Sequence, residues 1–96
     1  MTPCELSRIA LELDKISGVD WRVSTLKTGL QTERGLRFYP HEVVFYFVQR
    51  ENEQTVNIAK VPDWLNPRMR LTADQLKRLN NNFMMKLTAV PMKYLN

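Results

Sequence analysis

The chain has 96 residues, 44% hydrophobic and 25% charged, with a formal charge of +4 and a single cysteine. That length suits one domain spanning residues 1–96, and the composition excludes the disordered and fibrous classes. One thiol excludes an internal disulfide and points to a reducing, cytoplasmic setting; no run nears the ~18 apolar residues of a membrane span, and the first residues lack a secretory-signal pattern.

The charge is unevenly placed. Residues 60–96 hold seven basic side chains (Lys60, Arg68, Arg70, Lys77, Arg78, Lys86 and Lys93) against only Asp63 and Asp74. Residues 1–59 hold seven basic and eight acidic ones. Such asymmetry favours an acidic partner, nucleic acid or protein, although a merely solvated helix face accounts for it too.

A capping box opens the chain: Thr2 at N-cap, Pro3 at N1 and Glu5 at N3 predict a helix. Leu6, Ile9, Ala10, Leu13 and Ile16 recur at helical spacing, and Gly18 supplies a left-handed stop. The period then changes to two, with Val19, Trp21 and Val23 on one side of a half-buried strand. Residues 27–35 hold two of the three glycines and read as a mobile contact loop, without the spacing of a phosphate-binding motif. Leu36–Tyr39 predicts a short strand ended by Pro40.

Val43–Val48 are six consecutive apolar or aromatic residues, and that predicts a central strand covered on both faces or leaving one face for a partner. A polar turn over residues 50–54 leads to a second strand, Thr55–Val61. Placing Phe47 opposite Ile58 and Gln49 opposite Val56 gathers Val43, Phe45, Phe47, Val56 and Ile58 into one core face. A slip by one residue brings Asn57 opposite Phe47, so the first register is expected. Val44, Tyr46 and Val48 then need a second cover, from the C-terminal tail, a twin chain or a foreign partner.

Pro62–Pro67 reads as a connector in which Trp64 caps the core; the Asn66–Pro67 bond is open to either isomer. Thr72 and Gln75 form a second capping box, with a staple between Leu71 and Leu76. The helix it starts is expected to run from about Ala73 to Thr88 and to stop before Pro91. Leu76, Leu79, Phe83 and Leu87 make its buried stripe, and Lys77, Arg78, Asn81, Met85 and Thr88 lie opposite. Val90–Asn96 forms an apolar tail that covers the sheet edge or docks elsewhere.

No chemistry-bearing constellation emerges. His41 is the sole imidazole, and no motif ties it to Cys4 as a thiol dyad. One Cys and one His cannot supply a zinc set, and the acids lack the alternating pattern of a calcium loop. We therefore expect no enzyme, no metal and no cofactor.

The expected fold is α+β: an antiparallel three- or four-stranded sheet with an N-terminal and a C-terminal helix packed on one face, in the order α-β-β-β-α. That order is similar to the one in double-stranded RNA-binding domains, which implies phosphate contacts from the last helix. Their lysine cluster opens that helix, whereas Asp74 stands there in this chain. In size and composition the chain resembles the accessory inhibitors of phages and mobile elements. The expected function is a non-enzymatic interaction protein that modulates, by inhibition, a larger protein or protein–nucleic acid complex with an acidic surface. Its contact residues would be Arg68, Arg70, Lys77, Arg78, Asn81, Met85 and Lys86, with Tyr46 on the open sheet face. Direct nucleic-acid binding through the basic helix is the alternative, and a homodimer through a sheet edge or that face is a further expectation.

Overall fold

The computed structural model describes residues 2–48 and 54–96; the polar turn expected at 50–54 lies almost wholly outside them. Helix α1 runs from Pro3 to Ser17. Its start follows the local code: the Thr2 hydroxyl accepts from the Glu5 amide, and the Glu5 carboxylate accepts from the Thr2 amide at 3.0 Å. Its end does too, because Gly18 takes φ 70° and donates its N–H to Asp14 O. Leu6, Ile9, Ala10 and Leu13 are buried, as the periodicity predicts.

Among the described residues six strands follow: β1 (Arg22–Thr25), β2 (Leu30–Gln31), β3 (Arg37–Phe38), β4 (Val43–Val48), β5 (Thr55–Lys60) and β6 (Thr88–Pro91). Helix α2 (Ala73–Lys86) precedes β6, and a short 3-10 turn (Met92–Tyr94) follows it. β1, β4, β5 and β6 form one antiparallel sheet in that spatial order, while β2 and β3 make a separate hairpin. The class is α+β with two helices and a four-stranded antiparallel sheet, and the expected α-β-β-β-α order is extended by a strand after α2. Residues 27–35, read as a loop, supply β2 and the turn of the hairpin.

The register of β4 and β5 is the slipped one. Phe47 stands opposite Asn57, Tyr46 opposite Ile58 and Val48 opposite Val56. The reason is that the sheet has two apolar faces instead of one. Towards the helices, Trp21, Phe45, Ala59 and Phe83 pack with the α1 stripe and Leu65, Leu76 and Leu79. On the other face, Val44, Val56 and Ile58 pack with Leu26, Phe38, Val90 and Leu95. A slip inverts every side chain in a strand, so Val56 and Ile58 move to the second cluster and Asn57 and Ala59 to the first. Small Ala59, paired with Phe45, leaves room for Phe83, whose ring lies 4.9 Å from that of Phe45.

The second cover comes from the chain itself. Helix α2 ends at Lys86, Leu87 is extended, and Thr88–Pro91 pairs with Ile58–Thr55. One more helical turn would give a few side-chain contacts; instead the strand buries Thr88 and Val90 and covers the edge of β5, so tertiary pairing overrides the helical pattern. Met92 N–H bonds to Gln54 O, so the alternation of the ladder turns Pro91 outward, where its missing N–H leaves no ladder bond unmade. The tail then crosses beneath the sheet to the opposite edge. Leu95 bridges Leu26, Lys27 N–H reaches Tyr94 O, and Asn96 N–H reaches Thr25 O.

In the connector, Leu65 is buried and Trp64 is 55% exposed, so the expected core cap falls to its smaller neighbour. The turn closed by Leu65 N–H on Pro62 O points only one of the two inward. No described peptide bond is cis, Asn66–Pro67 included.

Candidate interaction surface

Thr72 sets the start of α2: its hydroxyl accepts from the Gln75 amide at 3.2 Å, and Gln75 answers at 2.9 Å. The helix is then oriented by its buried side. Leu76, Leu79 and Phe83 face the core, and Asn80 Oδ1 accepts from the Trp21 indole at 3.1 Å. Lys77, Arg78, Asn81, Met85 and Lys86 are left exposed, with Met85 at 82%. Five of the expected contact residues thus share one helix. Thr88, projected onto the same face, is instead buried in β6.

Arg68 and Arg70 lie apart from this row, exposed on the connector before α2. Arg8 of α1 holds that connector, donating to Pro67 O at 2.6 Å and Met69 O at 2.8 Å. Arg70 lines a cleft between the helices together with Arg8, Glu12 and Leu76. Tyr46 is half-buried against the second cluster and stands opposite Arg22, which binds Asp20. The face expected to be open is therefore covered by the hairpin and the tail.

A feature not anticipated from the sequence adjoins the exposed end of α2. A groove of about 540 Å³ lies between Asn82–Lys86, the end of β5 with Val61–Asp63, and the β2–β3 hairpin. Phe38, Val61 and Phe83 contribute its apolar surface, with the exposed Leu36 and Met85 at its lip. Arg34, Lys60 and Lys86 supply cations, and Asp63 the opposing acid. Arg34 reaches across from the hairpin turn to donate to Leu87 O at 3.0 Å, satisfying a carbonyl left over at the end of α2. The Lys60 ammonium sits 4.8 Å from the Phe38 ring centre and 3.4 Å from a Glu42 carboxylate oxygen. Tyr39, 66% exposed, extends the same aromatic edge.

Arg34, Leu36, Tyr39 and Lys60 meet here only because the hairpin folds against the junction of α2 and β6. The sequence signal for them was weak, since Leu36–Tyr39 could be read as a strand but not assigned a neighbour.

The titratable groups with shifted equilibria lie elsewhere. The Thr2 amide holds the Glu5 carboxyl below its ordinary value. Burial pushes Asp14 up, against the pull of its hydrogen bond from the Trp21 amide. The bond to Asp20, then its charge, raises Arg22 further. Cys4 is exposed on the first turn of α1, and His41 is exposed in the turn before β4. Among the described residues no group of three or more His, Cys, Asp or Glu side chains is placed to hold a metal ion. No helix among them is long and apolar enough to cross a membrane.

No family model matches the chain, and comparison with curated proteins and with solved structures also finds no match.

Proposed function

We propose that the chain is a small basic interaction protein, without catalysis of its own, that binds and inhibits a larger protein or protein–nucleic acid complex in a reducing compartment. Phage and mobile-element accessory proteins act in this way. The observation that carries the reading is the continuity of the exposed α2 face with the groove. Arg78, Asn82 and Lys86 succeed one another at helical spacing, and the last two line the groove beside Met85. Exposed Met adapts its shape to partners, and aromatic, Met and Arg side chains are enriched where proteins meet.

Direct nucleic-acid binding is the second reading, favoured by the exposed Arg68, Arg70, Lys77 and Arg78. The start of α2 argues against the mode used by double-stranded RNA-binding domains. Asp74 stands in its first turn, and Thr72 already occupies the Gln75 amide, so an incoming phosphate meets a negative charge and one amide fewer.

Affinity capture on the full chain, with nuclease treatment and a salt titration, separates the readings. A stoichiometric protein that survives nuclease and is lost on joint Arg78→Glu and Lys86→Glu substitution supports the first. Recovery of nucleic acid alone, with affinity falling steeply with salt as counterions are released, supports the second. Sizing the free protein in the same buffers tests the homodimer. The outer edge of β6 is only four residues long and ends on Pro91, which makes a poor template for pairing.

A further inference from the structure

We propose that the groove beside α2 is an anchor site for an acidic, extended segment of a protein partner. One bulky apolar side chain of that segment enters the groove, and its carboxylates meet Arg34, Arg78 and Lys86. This rests on the interaction-protein reading above and adds the chemical class of the ligand.

Three independent features define the occupant. The first is the apolar wall. Phe38 and Phe83 are buried side chains that still border the groove, and Leu36 and Met85 stand exposed at its lip. A single aliphatic or aromatic side chain seated there removes apolar surface of both partners from water. The second is charge. Lys60 is already balanced by Glu42 and contributes little net field. Among the described residues Arg34 and Lys86 form no salt bridge and Asp63 is the one acid lining the groove. Arg34 spends one N–H on Leu87 O and keeps its other donors, so its guanidinium is held in place for a carboxylate.

The third feature is main-chain. The pairing of β6 begins at Thr88 opposite Ile58, so β5 outruns it by Ala59 and Lys60. Residues 54, 56 and 58 bond towards β6, as the Met92 N–H to Gln54 O contact fixes. By the same alternation the Lys60 N–H and C=O point towards the β6 side, past the point where β6 starts. The described residues offer them no strand, and Lys60 lines the groove. A donor and an acceptor side by side at an unextended edge receive an extended backbone, which is why the segment is a strand and not a helix.

The experiment is a selection of random linear peptides on the intact protein, followed by fluorescence polarisation with the selected sequences. The expected consensus is one large apolar residue flanked by Asp or Glu. Binding of such a peptide should weaken about tenfold or more when Lys86 and Arg34 are both changed to Glu, and similarly for Leu36→Glu. Each variant is first checked for native circular dichroism and an unchanged melting profile. A variant that fails to fold is replaced by Met85→Glu, whose side chain is almost free in solution. N-methylation of the peptide next to its apolar residue should also abolish binding. Lysine-containing peptides should recover binding to the Arg34→Glu, Lys86→Glu protein.

No enrichment, an acid-free consensus, or affinities indifferent to these variants overturns the groove assignment. So does tighter binding of an oligothymidine probe than of any selected peptide. If the assignment fails while captured protein still depends on Arg78 and Lys86, the interaction reading stands and only the site is wrong. If capture yields nucleic acid alone, the reading itself falls.

Discussion

His41 occupies φ 64°, the single positive value among the described non-glycine residues. It is the third residue of a turn in which Glu42 N–H bonds to Tyr39 O at 3.1 Å, with Pro40 second, the pattern of a type II turn. A left-handed residue with a Cβ costs roughly 1–2 kcal/mol. His41→Gly is therefore expected to raise stability, by less than about 1 kcal/mol once the freer unfolded chain is counted, and His41→Val to lower it, as read from urea midpoints. The sequence marked the end of the short strand through Pro40, but not the left-handed angle of His41, because nothing local reveals a backbone angle. Two carboxylates give opposite pH slopes. Glu5 is held below its ordinary 4.5, so its contribution is present above that pH and is lost as pH falls through the folded value. Asp14 is raised above 3.8, so the folded state holds its proton longer, and stability falls as pH rises through that window. Glu5→Gln should shallow the acid-side loss of stability and Asp14→Asn should steepen it, both measurable as urea midpoint against pH.

At the scale of elements, what is governed by neighbours in sequence was legible and what is governed by a distant partner was not. Both capping boxes, the Gly18 stop and the buried stripes follow from short-range chemistry and appear as read, except that Leu87, expected on the α2 stripe, follows that helix as an extended, partly buried residue. The end of α2 does not, because Thr88–Pro91 is drawn into the sheet by β5. The β4–β5 register fails for a related reason: preferring Ile58 over Asn57 opposite Phe47 assumes one buried face, and the hairpin and tail create another. A similar long-range tie joins α2 to the segment before β1, where the buried Trp21 indole donates to Asn80. Asn80→Leu strands that donor and is expected to cost about 1–3 kcal/mol in denaturant unfolding, whereas replacing exposed Asn81 should change little. In the candidate site, the half contributed by α2 was legible as an exposed row. Residues 27–35, with Arg34, were read as a contact loop, but the meeting of Arg34, Leu36 and Lys60 was not legible, since it depends on where the hairpin lies.

At the scale of the molecule, the sheet sits between two apolar clusters, and the second depends on the last residues described. Leu95 is buried there against Leu26 and Val90. Leu95→Ala should cost about 2–5 kcal/mol, in the range of core truncations, and raise the binding of a hydrophobic dye. The need of Val44, Tyr46 and Val48 for a cover was visible in the unbroken apolar run; the identity of that cover was not. The same closure bears on how the molecule is made. Ser24 and Asn96 are hydrogen-bonded across 72 positions, and β6 is synthesised after every strand it completes. Helix α1 can form early from local contacts, but the underside of β4 and β5 stays wet until residues 88–96 have docked. Folding is thus expected to be limited by non-local contacts, and a chain that has not yet docked this segment to be a natural client for a chaperone.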